Sequence, residues 1–121
     1  MVAGYLARTA ALPFDWGRLN CAFWCADLVV AARGVDPAAD LRGKITRAFD
    51  ARQIVMRAGG LRQLVRSRMW MPDPPGGDGV CTATWAGQSI CGLLIADRLA
   101  LKTPRGVIFA QDFTLLDFWM I

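Results

Sequence analysis

The sequence of 121 residues contains no histidine, and this absence restricts its chemistry more than any other feature of its composition. A hydrolase of the Cys–His type uses an imidazole twice, to generate the thiolate and to protonate the leaving amine. General acid–base catalysis contributes about a hundred- to ten-thousand-fold in rate. A cysteine hydrolase without histidine would therefore need a substitute base. Lys102 or an aspartate could take that role in principle, but no spacing in the sequence indicates either of them.

Long apolar runs are also missing. No run reaches the length of about 18 residues that spans a bilayer. The first fourteen residues lack the basic and apolar regions of a secretion signal. We therefore expect no membrane insertion, and a protein made and kept in the cytoplasm or assembled there into something larger. Its 121 residues fit one domain, 1–121, and its 55% hydrophobic content suggests that partner protein covers part of the surface.

The four cysteines form no recognisable metal motif. They stand at positions 21, 25, 81 and 91, and this spacing matches no zinc or iron–sulfur pattern. In the absence of a secretion signal, we expect reduced thiols that pack as small hydrophobic side chains. The sequence thus predicts neither a metal site nor a cofactor.

Basic residues are concentrated between positions 42 and 68. Eight of the fourteen lysines and arginines lie there, against the single acid Asp50. Such a block can face nucleic acid, an acidic partner or solvent. It lacks the interleaved aromatic residues that stack on bases. We therefore favour a solvated or partner-facing side, and direct nucleic-acid binding is the weaker interpretation.

Residues 1–71 have the pattern of helices. The spacing of apolar residues predicts helices over 3–12, 21–33, 44–58 and 61–69, with an irregular segment or single turn between 38 and 43. The helix over 21–33 is apolar nearly all round, so we expect it to be buried in the middle of the domain. Asp27 is the exception on this helix, and it needs an arginine partner or access to the surface.

Residues 78–121 have the pattern of strands. Short runs rich in β-branched, leucine and aromatic residues predict strands over 80–85, 90–96, 98–102, 106–110 and 114–120. Five short strands with tight turns indicate an antiparallel meander or a small half-barrel. The predicted class is α+β, in which N-terminal helices, with a central buried helix, pack on a C-terminal antiparallel sheet.

The predicted helix that begins at Cys21 holds the candidate nucleophile. Asn20 is a plausible N-cap, and a thiol in the first turn lies near free backbone N–H groups and the positive end of the helix dipole. Both features lower the pKa of a thiol. The same position also suits a small buried residue. Likewise, Trp16 and Trp24 suit core packing, Trp119 suits an anchor for the last strand, and Gly77-Asp78 suits a tight turn.

Several motifs follow one another in a distinctive order. W-G-x-x-N-C-A-x-x-x-A-D-x-V begins at Trp16, and the later motifs are G-V-D-P at 34–37, L-R-G at 41–43, G-G-L at 59–61, G-D-G-V at 77–80, I-C-G-L at 90–93 and a final strand with Trp119. In this order they resemble small phage and prophage proteins of the NlpC/P60-like, papain-related type, often encoded with tail-tip genes. The resemblance runs from about Phe14 to the end of the chain.

The resemblance implies a site in which one member is missing. Cys21 matches the nucleophile position, and Asn20 stands where the family usually has aspartate. Active members read H-x-G-I where this sequence reads I-C-G-L, so Ile90 occupies the position of the histidine base. Cys21 is then a vestigial nucleophile in a degenerate cysteine peptidase.

These observations lead to three hypotheses. The favoured one is a non-catalytic docking domain at the tail tip or hub of a tailed-phage virion, assembled in the host cytoplasm. Its partners would be other tail-tip or hub proteins, with peptidoglycan contact also possible. The alternative is a cysteine peptidase or amidase that cuts peptidoglycan during genome delivery, with Cys21 as nucleophile and an unrecognised base. A basic nucleic-acid-binding module is the third and weakest.

Overall fold

The computed structural model describes residues 1–121 and confirms the α+β class. Four α-helices are followed by one antiparallel sheet of five strands. The helices are α1 (Val2–Thr9), α2 (Cys21–Arg33), α3 (Ala48–Arg57) and α4 (Leu61–Arg66), with a 3-10 turn at Ala39–Leu41. The strands are β1 (Gly79–Trp85), β2 (Gln88–Ile95), β3 (Arg98–Thr103), β4 (Gly106–Ala110) and β5 (Thr114–Met120).

The sheet combines a meander with one returning strand. Its spatial order is β4-β3-β2-β1-β5, so β1 to β4 follow one another as predicted and β5 comes back to pair with β1. The register places Thr82 of β1 opposite Cys91 on β2 and opposite Asp117 on β5. These three side chains therefore form one row across three strands.

Helix α2 begins and ends at the predicted residues. The side-chain oxygen of Asn20 accepts a hydrogen bond of 2.8 Å from the N–H of Phe23, which satisfies a free donor of the first turn. Gly34 ends the helix with φ +71°, a conformation that glycine adopts without strain. Trp24 and Leu28 are fully buried, as expected for a central helix. None of the helices has the length and apolar character that crossing a membrane requires.

The core has one main cluster on each side of the sheet. The helix side joins Tyr5 of α1 and Trp24 of α2 to strand residues such as Leu93. The other side is built from residues of all five strands, namely Cys81, Ala83, Leu94, Leu99, Leu101, Ala110 and Phe118. Strand residues and Phe113, in the turn before β5, bury this second cluster without a covering helix.

Helix α3 differs from its prediction. It begins at Ala48 rather than at 44, and none of its residues is buried. The carboxylate of Asp50 accepts hydrogen bonds from both the N–H and the hydroxyl of Thr46, and these bonds hold the preceding chain in a turn. Phe49, expected on the inward stripe, is 49% exposed and lies under the guanidinium of Arg47.

The basic block is largely engaged inside the chain. Five of its eight members form ion pairs with aspartates, namely Arg42, Arg47, Arg62, Arg66 and Arg68. Six of the eight members are nevertheless exposed, as expected for a solvated side, and only Arg42 and Arg68 are half-buried. For Arg42, Arg62, Arg66 and Arg68, folding supplies acids that lie far away in the sequence.

Lys102 joins the sheet to the first helix. Its side chain is only 2% exposed, and its ammonium donates to the backbone carbonyls of Thr9, Ala10 and Leu12. An ammonium has three protons, so these three acceptors use all of them. The carbonyls at the end of α1, which have no partner within the helix, are thus satisfied from β3.

We predict that Lys102→Met lowers the free energy of unfolding by about 1.5–3 kcal/mol, because it removes a charged donor and leaves partly buried carbonyls unpaired. Urea denaturation followed by circular dichroism measures the change. Lys44→Met is the matched control, since Lys44 is exposed and its loss should change stability by less than about 0.5 kcal/mol. Equal stability of the two variants would contradict the assigned role of Lys102.

Candidate functional site

The turn before α2 fixes the position of Cys21. The carboxylate of Asp15 accepts hydrogen bonds from the N–H groups of Gly17 and Arg18, at 2.8 and 3.1 Å. The side-chain amide of Asn20 donates to the carbonyl of Trp16 at 2.9 Å. A Cβ on Gly17 would lie 2.8 Å from the carbonyl oxygen of Ile45, so this close approach requires glycine. The W-G-x-x-N-C motif is therefore a structural turn that leads into the helix.

The thiol of Cys21 is not activated by its place at the start of the helix. Burial raises its pKa above 9.0, and the backbone N–H groups of Ala22 and of Cys21 itself oppose this rise without overcoming it. No side chain acts to stabilise the thiolate. The lowering expected from the helix terminus is therefore outweighed by desolvation, because charge is costly where water is excluded.

The structure does not bring Ile90 to Cys21. On β2, Cys91 packs in the helix-side cluster with Cys25 and Trp24, whereas Ile90 packs against the cluster on the opposite side of the sheet. Successive residues of a strand point to opposite faces, so both cannot face α2. An imidazole at position 90 would accordingly point away from the helix that begins at Cys21.

Three thiols lie near one another between α2 and β2. Burial raises the pKa of Cys25 well above its usual value, and the neighbouring Cys91 and Cys21 raise it further. Burial likewise raises the pKa of Cys91, with Cys21 adding to the effect. All four cysteines are free, and no group of three or more Cys, Asp or Glu side chains is arranged to hold a metal ion. The thiols therefore pack as small apolar groups, in the protonated form.

The other candidate bases are occupied elsewhere. Lys102 donates all three of its protons to backbone carbonyls at the end of α1. Asp27 is paired with Arg42 at 2.7 Å, and Asp117 with Arg62 at 2.9 Å. Burial works to raise the pKa of Asp117, but the hydrogen bonds and charge of Arg62 lower it, so this carboxylate is a poor proton acceptor. Lys102, Asp27 and Asp117 are thus each engaged with groups other than the Cys21 thiol.

An apolar cavity of about 70 Å³ lies between α2, α4 and the sheet. Thirteen of its fifteen lining residues are hydrophobic, and they include Cys25 and Cys91 but not Cys21. One lining residue, Arg68, carries the only buried side-chain nitrogen without a partner, its Nε. A peptide substrate needs several convergent polar groups to orient its backbone. This cavity offers apolar walls and a single donor, so it suits packing better than peptide hydrolysis.

Sequence reasoning missed a buried acid on β5, Asp117. The Asp117 carboxylate is 4% exposed, and it accepts hydrogen bonds from Arg62 at 2.9 and 3.2 Å and from the Thr82 hydroxyl at 2.8 Å. Arg66, one turn further along α4, lies 3.9 Å away. The sequence contains two features that could have indicated this ion pair, an acid within an apolar strand and two arginines at i, i+4 spacing. They are far apart in the chain, and only the fold brings them together.

The pKa of Asp117 reports this environment. Burial works to raise it, but the hydrogen bonds from Arg62 and Thr82 and the nearby positive charges outweigh burial, so the pKa falls below 3.8. A carboxyl whose pKa is lowered on folding stabilises the native state above its unfolded pKa, and this contribution is lost as the pH falls through the folded value.

We predict that only Cys21 reacts with a thiol reagent such as Ellman's reagent in the native protein, because Cys25, Cys81 and Cys91 are buried. Its rate should be slow at pH 7 and keep rising beyond pH 9, since burial raises the pKa of its thiol. Cys21→Ser should abolish native labelling, while all remaining thiols react in denaturant. A rate already at its plateau below pH 7 would instead show an activated thiolate.

We predict that Asp117→Asn makes stability less dependent on pH between about 5 and 2, since it removes a carboxyl whose pKa is lowered by folding. It should also lower the midpoint of urea unfolding at pH 7. The exposed residue Asp112 provides the matched control, and Asp112→Asn should keep the wild-type pH profile. Parallel acid-unfolding curves for wild type and Asp117→Asn would refute the assignment.

The comparisons with known proteins give one match. No curated protein and no solved structure matches the chain. A model of the family described as a domain of unknown function, DUF6950, matches residues 1–121. Because this match spans the whole sequence, the chain belongs to the DUF6950 family.

Proposed function

We propose that this chain is a non-catalytic docking domain of the NlpC/P60-like, papain-related type, which serves as a structural component at the tail tip or hub of a tailed phage. The order of sequence motifs supports the relationship to the NlpC/P60-like type. A helix that begins at the nucleophile position and packs on an antiparallel sheet is the arrangement that this relationship implies.

The observation that carries the non-catalytic assignment is the surroundings of Cys21. Its thiol is kept protonated by burial, no side chain stabilises the thiolate, and the chain has no histidine. An amidase must also protonate its leaving amine, and no residue is placed to do so. We propose docking as the role because a domain of this type that has lost catalysis can still act by binding other proteins through its surface.

The motifs that suggested the family also support a scaffold role. Arg42 of L-R-G donates to Asp27 of the first motif at 2.7 Å and to Asp36 of G-V-D-P at 3.2 Å. Its guanidinium also lies 4.6 Å from the centre of the Phe23 ring. These motifs therefore hold α2 to the segment that follows it, and their pattern is explained by structure without reference to catalysis.

No specific observation favours nucleic-acid binding or amidase activity. The basic block that motivated nucleic-acid binding is mostly paired with aspartates of the same chain. The amidase reading requires a base, and Lys102 and the nearby aspartates are engaged by other groups. The partners that we propose are other tail-tip or hub proteins, with peptidoglycan contact as a further possibility in the assembled particle.

We predict no peptidase activity. Wild type and Cys21→Ala should release the same background amount of peptide from purified sacculi and from small peptide substrates, because neither has a general acid. An active NlpC/P60 peptidase that carries the H-x-G-I motif serves as the positive control. Release by wild type that Cys21→Ala abolishes would overturn the non-catalytic assignment and restore the amidase hypothesis.

The location is tested separately. Antibodies against the chain should detect it in purified tails, and it should co-purify with neighbouring tail proteins after co-expression. A stable monomer that is absent from purified virions would refute the tail assignment while leaving the absence of catalysis intact.

A further inference from the structure

Exposed apolar residues gather where the end of α2 meets the end of β5. We call this surface the Trp70 patch and define it by five residues, Val30, Arg33, Trp70, Met71 and Met120. Its four apolar members are between 37% and 85% exposed. Arg33 joins them, because its guanidinium lies 4.7 Å from the centre of the Trp70 ring and donates to the carbonyl of Met120 at 3.0 Å.

Most members of the patch are neighbours either on one face of α2 or along the chain. Val30 and Arg33 are three residues apart on α2, so they share one face of the helix. Met71 follows Trp70 directly and is 85% exposed, the highest value of any large hydrophobic residue in the protein. The patch thus includes two methionines and a tryptophan that the folded chain leaves open to solvent.

The backbone beneath the patch is firmly held. The indole N–H of Trp119 donates to the carbonyl of Trp70 at 2.7 Å. The N–H of Asp73 donates to the carbonyl of Phe118 at 2.8 Å, and the Asp73 carboxylate accepts from the N–H of Met120 at 2.8 Å. The segment therefore lies along the edge of β5. A surface held in this way loses little conformational freedom on binding, which favours affinity.

The composition is that of a protein interface. Tryptophan, methionine and arginine are enriched in interfaces, and tryptophan and arginine are prominent among the residues that contribute most binding energy. Methionine also adapts its shape to a facing surface. Met71 is the most exposed member of the patch, and docking against another surface would cover it together with Trp70 and Met120.

We propose that the Trp70 patch docks an apolar surface of another protein, one that carries a carboxylate opposite Arg33; this inference rests on the proposed role as a docking domain. Arg33 forms no ion pair within the chain and stands at the junction of Trp70 and Met120. A carboxylate on the partner would form an ion pair with Arg33, in keeping with the charge complementarity of protein interfaces.

The charges disfavour two other occupants. In a two-fold dimer built on the patch, the same surface meets itself, so the interface would contain two copies of Arg33 and no acidic side chain of the patch to pair with them. The net charge of +4 on each copy adds repulsion. Attachment to an anionic membrane draws on clusters of about four to eight basic residues, and the patch contains one. A protein with an acidic group among apolar side chains fits best.

The test uses three charge variants of the full chain, Met71→Glu, Arg33→Glu and Met56→Glu. Met56, which is 77% exposed on α3 and outside the patch, provides the matched control for Met71. Each variant is supplied in trans to cells whose phage lacks the gene, and the amount bound to purified tails is measured. Circular dichroism and thermal unfolding verify that each variant is folded.

We expect Met71→Glu and Arg33→Glu to reduce the tail-bound amount at least tenfold, while Met56→Glu matches wild type. A photo-cross-linking amino acid in place of Met71 should join the chain to a tail protein through a peptide that contains Asp or Glu. Wild-type incorporation of folded Met71→Glu would overturn the proposal, as would cross-linking from position 71 to a second copy.

The remaining outcomes separate the patch from the tail assignment. If wild type is itself absent from tails but position 71 cross-links to another acidic protein in cells, the patch proposal stands and the proposed location fails. Absence of any cross-link from position 71 overturns the patch. Binding to vesicles of phosphatidylglycerol and phosphatidylcholine that Met71→Glu abolishes would show a membrane occupant and also overturn it.

Discussion

The ion cluster around Arg42 is the interaction on which the helical half of this protein depends. One guanidinium binds Asp27 of the central helix and Asp36 of the following loop, and it covers the ring of Phe23. The Asp27 side chain is 38% exposed, so this acid on an apolar helix has both an arginine partner and access to solvent. By binding both aspartates, Arg42 fixes the path of the chain from α2 to the 3-10 turn.

The same packing removes the conditions for thiol chemistry. The turn before Cys21 and the cap at Asn20 place the thiol at a helix terminus, where a nucleophile would be activated if it were hydrated and paired with a base. Here α2 is pressed against β2, and the residue of β2 that faces it is Cys91. Burial raises the pKa of the Cys21 thiol and so favours its protonated form, although the thiol lies in the first turn of a helix.

Charge in this chain is used mainly for internal assembly. Three arginines of the basic block engage aspartates far away in the sequence, at Asp27, Asp117 and Asp40. Lys102 similarly joins β3 to the end of α1. The high apolar content that suggested a partner-covered surface is reflected in the Trp70 patch, where tryptophan and methionine remain exposed around Arg33.

The sequence by itself determined the elements with local causes. The N-cap at Asn20, the terminator Gly34 and the turn residues between strands located α2 and placed all five strands within two residues of their ends, since capping and turn preferences act over a few residues. The predicted start of α3 was wrong, because Asp50 holds the preceding residues in a turn that the apolar spacing did not indicate. Tertiary structure alone decided which face of β2 meets α2, the partners of Lys102 and Asp117, and the protonated state of Cys21. Those properties depend on strand register and burial, and contacts between residues far apart in the chain determine both.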